Sequence, residues 1–209
     1  MEPERYAFRG SDLVGGHVVL DLVNTVTGRR SSPTDWLDSY DRVLEWAALT
    51  DEFDAETLQT LDRLHTANAR AASPALERLR SLREAVYEIV VAALHDGPAP
   101  EGAVTRLERH WKEATVAARL TLSRGRPTLE FDVRSSGLDY PTHVLALSAL
   151  AFLQTLPLDR TRECASPPCT WIFVDRSRGG QRRWCDMATC GNAAKSRRHY
   201  ERRRTKEAR

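Results

Sequence analysis

Cys164-Ala-Ser-Pro-Pro-Cys169 and Cys185-Asp-Met-Ala-Thr-Cys190 hold all four cysteines of the 209-residue chain, spaced C-x4-C-x15-C-x4-C. Each short loop can turn two thiolates toward one point, and the interval between the pairs is about the length of a β-hairpin. Pro167 and Pro168 stiffen the first turn. Between the pairs, Trp171-Ile-Phe-Val174 and Arg183-Trp184 read as short strands joined through Ser177-Arg-Gly-Gly180. Lys195-Ser-Arg-Arg-His-Tyr-Glu-Arg-Arg-Arg-Thr-Lys206 then reads as a strongly basic helix. Knuckle, hairpin, knuckle and helix describe a small treble-clef-like module built on a structural zinc ion held by Cys164, Cys169, Cys185 and Cys190. Four thiolates leave no open position for water, so the site is expected to be structural and not catalytic.

The other reading of four cysteines is two disulfides, which need an oxidising compartment. Met1 to Gly10 carries Glu2, Glu4, Arg5 and Arg9 and no apolar run, so no signal peptide is expected. The longest apolar run, Val144 to Leu153, is interrupted by Ser148 and too short to span a bilayer. A cytoplasmic protein with no membrane partner is the expectation.

Charge divides the chain. Residues 158–209 carry 14 Lys/Arg and 6 Asp/Glu, a net of +8, whereas residues 1–157 carry 17 and 23, a net of −6. An acidic body with a basic tail points to a polyanion as the partner of the tail alone. The candidate phosphate ligands are Arg176, Arg178, Arg182 and Arg183 on the hairpin and Lys195, Arg197, Arg198, Arg202 and Arg203 on the helix. Two such patches on one rigid module suit DNA, with RNA or a ribosomal site as the alternative. Trp171, Phe173 and Trp184 are better placed to fill the core of so small a module than to stack on bases.

Residues 1–157 read as a mainly α domain with one β-hairpin, and 158–209 as the finger. His17, Asp21, Asn24 and Thr25 fall at i, i+4, i+7 and i+8 of an otherwise apolar segment. Its β-branched content favours a strand and this stripe a helix; the helix is preferred. Ser32-Pro-Thr-Asp35 reads as a helix start running to Ala48, and Ala55 to Ala71 as a second helix. Ser73-Pro74 should cap a third, ended by Gly97-Pro98, and a fourth from Pro100 should bury Val104, Leu107 and Trp111. Ala118, Leu120 and Leu122 alternate with polar residues, as do Leu129, Phe131 and Val133, giving a hairpin around Arg124-Gly-Arg-Pro127. Thr142 to Leu156 is apolar nearly all round and should be the central helix, with Asp159 to Glu163 as linker.

Trp184-Cys-Asp-Met-Ala-Thr-Cys-Gly-Asn-Ala-Ala-Lys-Ser-Arg-Arg-His199, with Trp171-Ile-Phe-Val-Asp-Arg-Ser-Arg178 before it, resembles the CGNR zinc finger. That finger usually follows an ABATE domain in bacterial proteins described as stress-induced transcription regulators, and Leu20-Asp-Leu-Val-Asn-Thr25 is similar to a signature near the start of that domain. The resemblance implies DNA binding by the finger, and ligand sensing or homodimerisation by the body. One position departs from it: Cys190-Gly-Asn is followed by Ala193, not arginine. Within the body, Asp21, Asn24 and Thr25 have two roles open to them, lining a pocket for a small-molecule effector or satisfying buried loop backbone. No phosphate loop, H-E-x-x-H or G-x-S-x-G pattern is present, so no enzyme is expected.

Overall fold

The computed structural model describes residues 7–197 and residue 200. In chain order its elements are α1 (Val18–Val23), β1 (Val26–Thr27), β2 (Thr34–Asp35), α2 (Tyr40–Ala47), α3 (Ala55–Ala67) and α4 (Ala69–Leu94). They continue with α5 (Glu101–Ala117), β3 (Arg119–Ser123), β4 (Arg126–Glu130), α6 (Val133–Ser136), α7 (Tyr140–Gln154), β5 (Thr161–Glu163) and β6 (Ile172–Val174). A π-helical turn, Met187–Gly191, leads into helical residues 192–197. The protein is mainly helical with small antiparallel hairpins, β1–β2, β3–β4 and β5–β6. Among the described residues no helix is long and apolar enough to cross a membrane.

The chain forms two compact units interleaved in sequence. One holds the residues through Leu13 and Trp36–Leu156; the other holds Val14–Asp35 and the chain from Pro157. The units do not follow the cut after residue 157 that charge and composition suggest, because Val14–Asp35 is part of the cysteine-bearing unit.

The first unit is built on α4, α5 and α7, which pack on one another. Leu79, Leu82, Val86 and Val90 repeat at helical spacing along α4, and Leu145, Ala146, Ala149 and Phe152 do so on α7. The buried stripe of α5 is Ala103, Leu107, His110 and Ala114, one residue round the helix from the expected Val104 and Trp111, which are exposed. Small side chains at 103 and 114 let the backbones approach closely, so volume and not hydrophobicity alone sets the inner face. A second cluster gathers Tyr40, Leu61, Ala72, Ala75 and Leu138, with the Tyr40 hydroxyl donating to the Leu138 carbonyl at 2.8 Å.

Several expected boundaries move. Ser32-Pro33 opens no helix: Thr34 and Asp35 pair with Thr27 and Val26, and α2 starts at Tyr40 with the Ser39 hydroxyl accepting from the Arg42 N–H. A Ser-Pro-x-Asp sequence serves a turn as well as a cap, and the strand pairing decides between them. Ser73-Pro74 likewise is no cap, since α4 begins a turn earlier and carries Pro74 inside it. The β3–β4 hairpin closes through Arg124 and Gly125 alone, both at positive φ, and Val133 begins α6 instead of continuing the strand. Its apolar face is not covered: Leu120, Leu122 and Leu129 are 68%, 73% and 43% exposed. The expected linker is a strand, because Thr161–Glu163 pairs with Ile172–Val174 and Arg183-Trp184 is not in a ladder.

Candidate metal centre and nucleic-acid interface

The first cysteine pair sits at the tip of the β5–β6 hairpin, whose register is Thr161↔Val174, Arg162↔Phe173 and Glu163↔Ile172. Beyond the ladder the Cys164 N–H donates to the Trp171 carbonyl at 2.8 Å, and the Cys169 N–H to the Ser166 carbonyl at 2.9 Å, closing the knuckle. The second pair is carried to it by the Ala165 N–H, which donates to the Arg183 carbonyl at 2.8 Å. Asp186 caps the turn that bears Cys190, its carboxylate accepting from the Thr189 N–H at 2.8 Å.

These contacts bring the four sulfurs within 4.8 Å of one another, with Cys169–Cys185 at 3.5 Å and Cys185–Cys190 at 3.6 Å. A tetrahedral thiolate site with metal–sulfur bonds of about 2.3 Å has sulfurs roughly 3.8 Å apart, so the residues fit a metal ion. The cysteines are not disulfide-bonded, and the Cys185 N–H donates to Cys164 Sγ at 3.4 Å. Hydrogen bonds from Cys169, Cys185 and Cys190 pull the Cys164 thiol far down, while sharing with Cys164 pushes Cys169 and Cys185 up. Four sulfurs this close cannot all be thiolates without a cation among them, and a bound metal would supply that cation. Phe173 is fully buried beneath the cluster, with Val14, Trp171 and Trp184 packed around it, so the aromatics form the module's core.

One edge of β6 pairs with β5, and Val14–Asp35 covers the other. The Val174 N–H donates to the Gly15 carbonyl at 2.9 Å. Asn24 takes both backbone groups of Ile172, donating from Nδ2 to its carbonyl and accepting at Oδ1 from its N–H, each at 2.8 Å. The Trp171 indole donates to Thr27 Oγ1 at 3.1 Å, and the Gly28 N–H to the Cys169 carbonyl at 3.0 Å. Thr25 Oγ1 donates to the Leu22 carbonyl at 2.7 Å, and Asp21 Oδ1 accepts from the Gly15 N–H at 2.8 Å. Burial, offset in part by that hydrogen bond, raises the Asp21 carboxyl to about 6. Asp21, Asn24 and Thr25 thus lie together in the cysteine-bearing unit, each with a polar atom given to backbone. His17 caps α1, its Nδ1 accepting from the Val19 N–H, and burial followed by Arg176 lowers its pKa.

The expected basic residues separate into kinds. Arg182 is turned inward: its guanidinium lies 4.4 Å from the Phe173 ring centre and donates to the Trp184 and Cys185 carbonyls. Arg176 is exposed and donates to the Gly16 carbonyl. Arg178 is exposed, and Arg183 is exposed over the Trp184 ring. Lys195 and Arg197 are exposed on helical residues 192–197, with Arg197 Nη2 donating to Ser166 Oγ at 3.3 Å. Arg198, Arg202 and Arg203 lie outside the described residues. Asp175 went unnoticed in the sequence: buried, it accepts from the Ser177 and Arg182 N–H groups and so anchors the arginine-bearing loop. Those bonds, the Ser177 side chain first, hold its carboxyl down to about 2. An Asx-turn pattern, Asp-Arg-Ser, was its signal.

Compared with known families, residues 16–156 match the ABATE model, described as "Putative stress-induced transcription regulator", and residues 160–203 match the CGNR zinc finger. Among curated proteins there is no match.

Proposed function

The chain belongs to the ABATE family, here joined to a CGNR zinc finger, and from that premise we propose that it is a zinc-dependent, DNA-binding transcription regulator of the cytoplasm. Zinc is the metal that four thiolates at this spacing suit best. When bound it supplies charge compensation and folding free energy and no open coordination position. Cys164, Cys169, Cys185 and Cys190 would hold it, and the reading includes no catalytic step.

The observation that carries DNA binding is the exposure of Arg178, Arg183, Lys195 and Arg197 around a metal-stapled core. Rigid cations of this kind hold phosphates and release counterions. Duplex DNA is favoured over unpaired strands because the aromatics that would stack on bases are occupied: Phe173 is buried, Trp171 is bonded to Thr27, and Trp184 lies beneath Arg183. The helical unit is the regulatory part in this reading. The test is binding of the zinc-loaded protein to duplex DNA and to structured RNA at matched salt. Four phosphate contacts give a log K against log salt slope of roughly −4 on the duplex. Tighter binding to RNA would move the function to an RNA or ribosomal partner; no binding to either would make the finger a protein-docking surface.

A further inference from the structure

We propose that the loop between β1 and β2, Gly28-Arg29-Arg30-Ser31-Ser32-Pro33, is a second arm of the nucleic-acid interface, with Arg30 as a phosphate ligand. The proposal rests on the DNA-binding reading above and adds residues far from the finger in sequence.

The loop is fixed to the metal knuckle itself. Its Gly28 N–H donates to the Cys169 carbonyl at 3.0 Å, and its Arg29 N–H to Thr170 Oγ1 at 3.1 Å. Gly28 has φ +71°, and a Cβ there would lie 2.7 Å from the Ser32 carbonyl oxygen, so this turn requires glycine. Arg29 folds back, donating from Nη2 to the Val23 carbonyl at 3.1 Å. Arg30 points outward with its side chain 56% exposed, and pairs with Glu163 at the end of β5. Ser31 and Ser32 are exposed beside it. A backbone turn with small hydroxyl residues and an outward arginine is chemistry that grips phosphate without reading sequence.

The same knuckle is also touched by helical residues 192–197, through Arg197 and Ser166. Ser166 and Thr170 are four residues apart, so the two anchor points are at most roughly 14 Å from each other. That is the scale of a duplex groove, about 12 Å across for the major groove. In this proposal a duplex lying on Lys195 and Arg197 also meets Arg30. Glu163 occupies Arg30 when DNA is absent, and a phosphate replaces it in the complex.

The experiment titrates a mixed-sequence duplex of about 20 base pairs against the zinc-loaded full chain, over a range of salt. Arg30→Ala should weaken binding roughly fivefold and flatten the salt slope by about 1. Glu163→Gln should bind at least as tightly as the parent, because it weakens the ion pair that holds Arg30 and removes a negative charge near the phosphates. Metal content should stay the same in both and the melting temperature should change little, since the Arg30 half of the ion pair is 56% exposed and such pairs contribute little to stability. A parent that binds while Arg30→Ala binds equally well removes the loop from the interface and leaves the finger's role standing. Equal weakening by Arg30→Ala and Glu163→Gln makes their ion pair a structural brace and overturns the proposal. A parent that does not bind the duplex overturns both this and the DNA-binding function.

Discussion

Asn24 pairs with Ile172 as one strand residue pairs with another, its carboxamide presenting a donor and an acceptor to the backbone N–H and C=O, both at 2.8 Å and both buried. It stands in for a third strand on the open edge of β6, 148 positions away in sequence. Asn24→Ala should leave two buried backbone groups without partners, at a cost of about 2–5 kcal/mol. Asn24→Asp keeps the acceptor but loses the donor, and should also destabilise. Denaturant melts of the metal-loaded chain, followed by fluorescence of Trp171 and Trp184 beside the metal core, provide the check. An Asn24→Ala protein that unfolds at the parent's midpoint would mean this edge needs no covering.

Taken by itself, Asp21 should contribute more to the stability of the cysteine-bearing unit in mild acid than at neutral pH. Burial raises its carboxyl from the ordinary value of 3.8 to about 6 in the folded chain. A raised pKa means the folded state holds the proton more tightly, so this contribution is complete below 3.8 and is lost as pH rises through about 6. Asp21→Asn keeps an oxygen for the Gly15 N–H and carries no charge. It should stabilise the protein at pH 8 by at most about 3 kcal/mol, with no gain near pH 4. Equal melting temperatures for parent and variant at pH 8 would show that water already solvates this carboxylate.

How much of this could be read from the sequence depended on the range of the signal. The four-cysteine cluster was legible because each knuckle is a local turn and the two pairs are separated by little more than a hairpin. α4 was legible from its helical period and α7 from being apolar nearly all round, both of them local signals. Val14–Asp35 packs with the cysteine-bearing unit although it is continuous in sequence with the helical part, and nothing local tells Asn24 that its partner is Ile172. β5, three residues of Thr-Arg-Glu, has the composition of a linker and becomes a strand only because β6 is there to pair with it. Arg182 looked like any other arginine in a basic run, and the Phe173 ring with the Trp184 and Cys185 carbonyls turns it inward. On α5 two overlapping apolar stripes competed, and the smaller side chains won the inner face.

Metal loading and folding of the cysteine-bearing unit should be one event. Phe173 and the four sulfurs form the cluster that joins the two knuckles, beside the buried apolar side chains of Val19, Leu20, Leu22, Val23 and Ile172, and four crowded sulfurs require a cation to be thiolates together. Cys185→Ser, which removes the most buried ligand, should lose the metal and the near-ultraviolet signal of Trp171 and Trp184. The far-ultraviolet helical signal from α4, α5 and α7 should persist. Metal analysis and circular dichroism on the same sample decide it; retention of one metal per chain with unchanged tryptophan signals would contradict a four-cysteine site.

Ala193 is the one place where the Cys-Gly-Asn-Arg pattern fails, and the structure leaves room to restore it. Residue 193 is exposed on helical residues 192–197, four positions before Arg197 and so on the same helix face. Arg197 reaches Ser166 of the first knuckle, which places this face beside the proposed duplex surface. An arginine at 193 would add a cation there without displacing any buried group. Ala193→Arg should tighten duplex binding severalfold and steepen the salt slope by about 1, the signature of one more neutralised phosphate. Its melting temperature should match the parent's, because exposed substitutions on a helix of ordinary formers change stability little. If affinity rises equally at low and high salt, the new side chain is making a contact other than a phosphate contact. If affinity does not change at any salt, this face of the helix points away from the nucleic acid, and Arg178 and Arg183 on the preceding loop become the primary contacts.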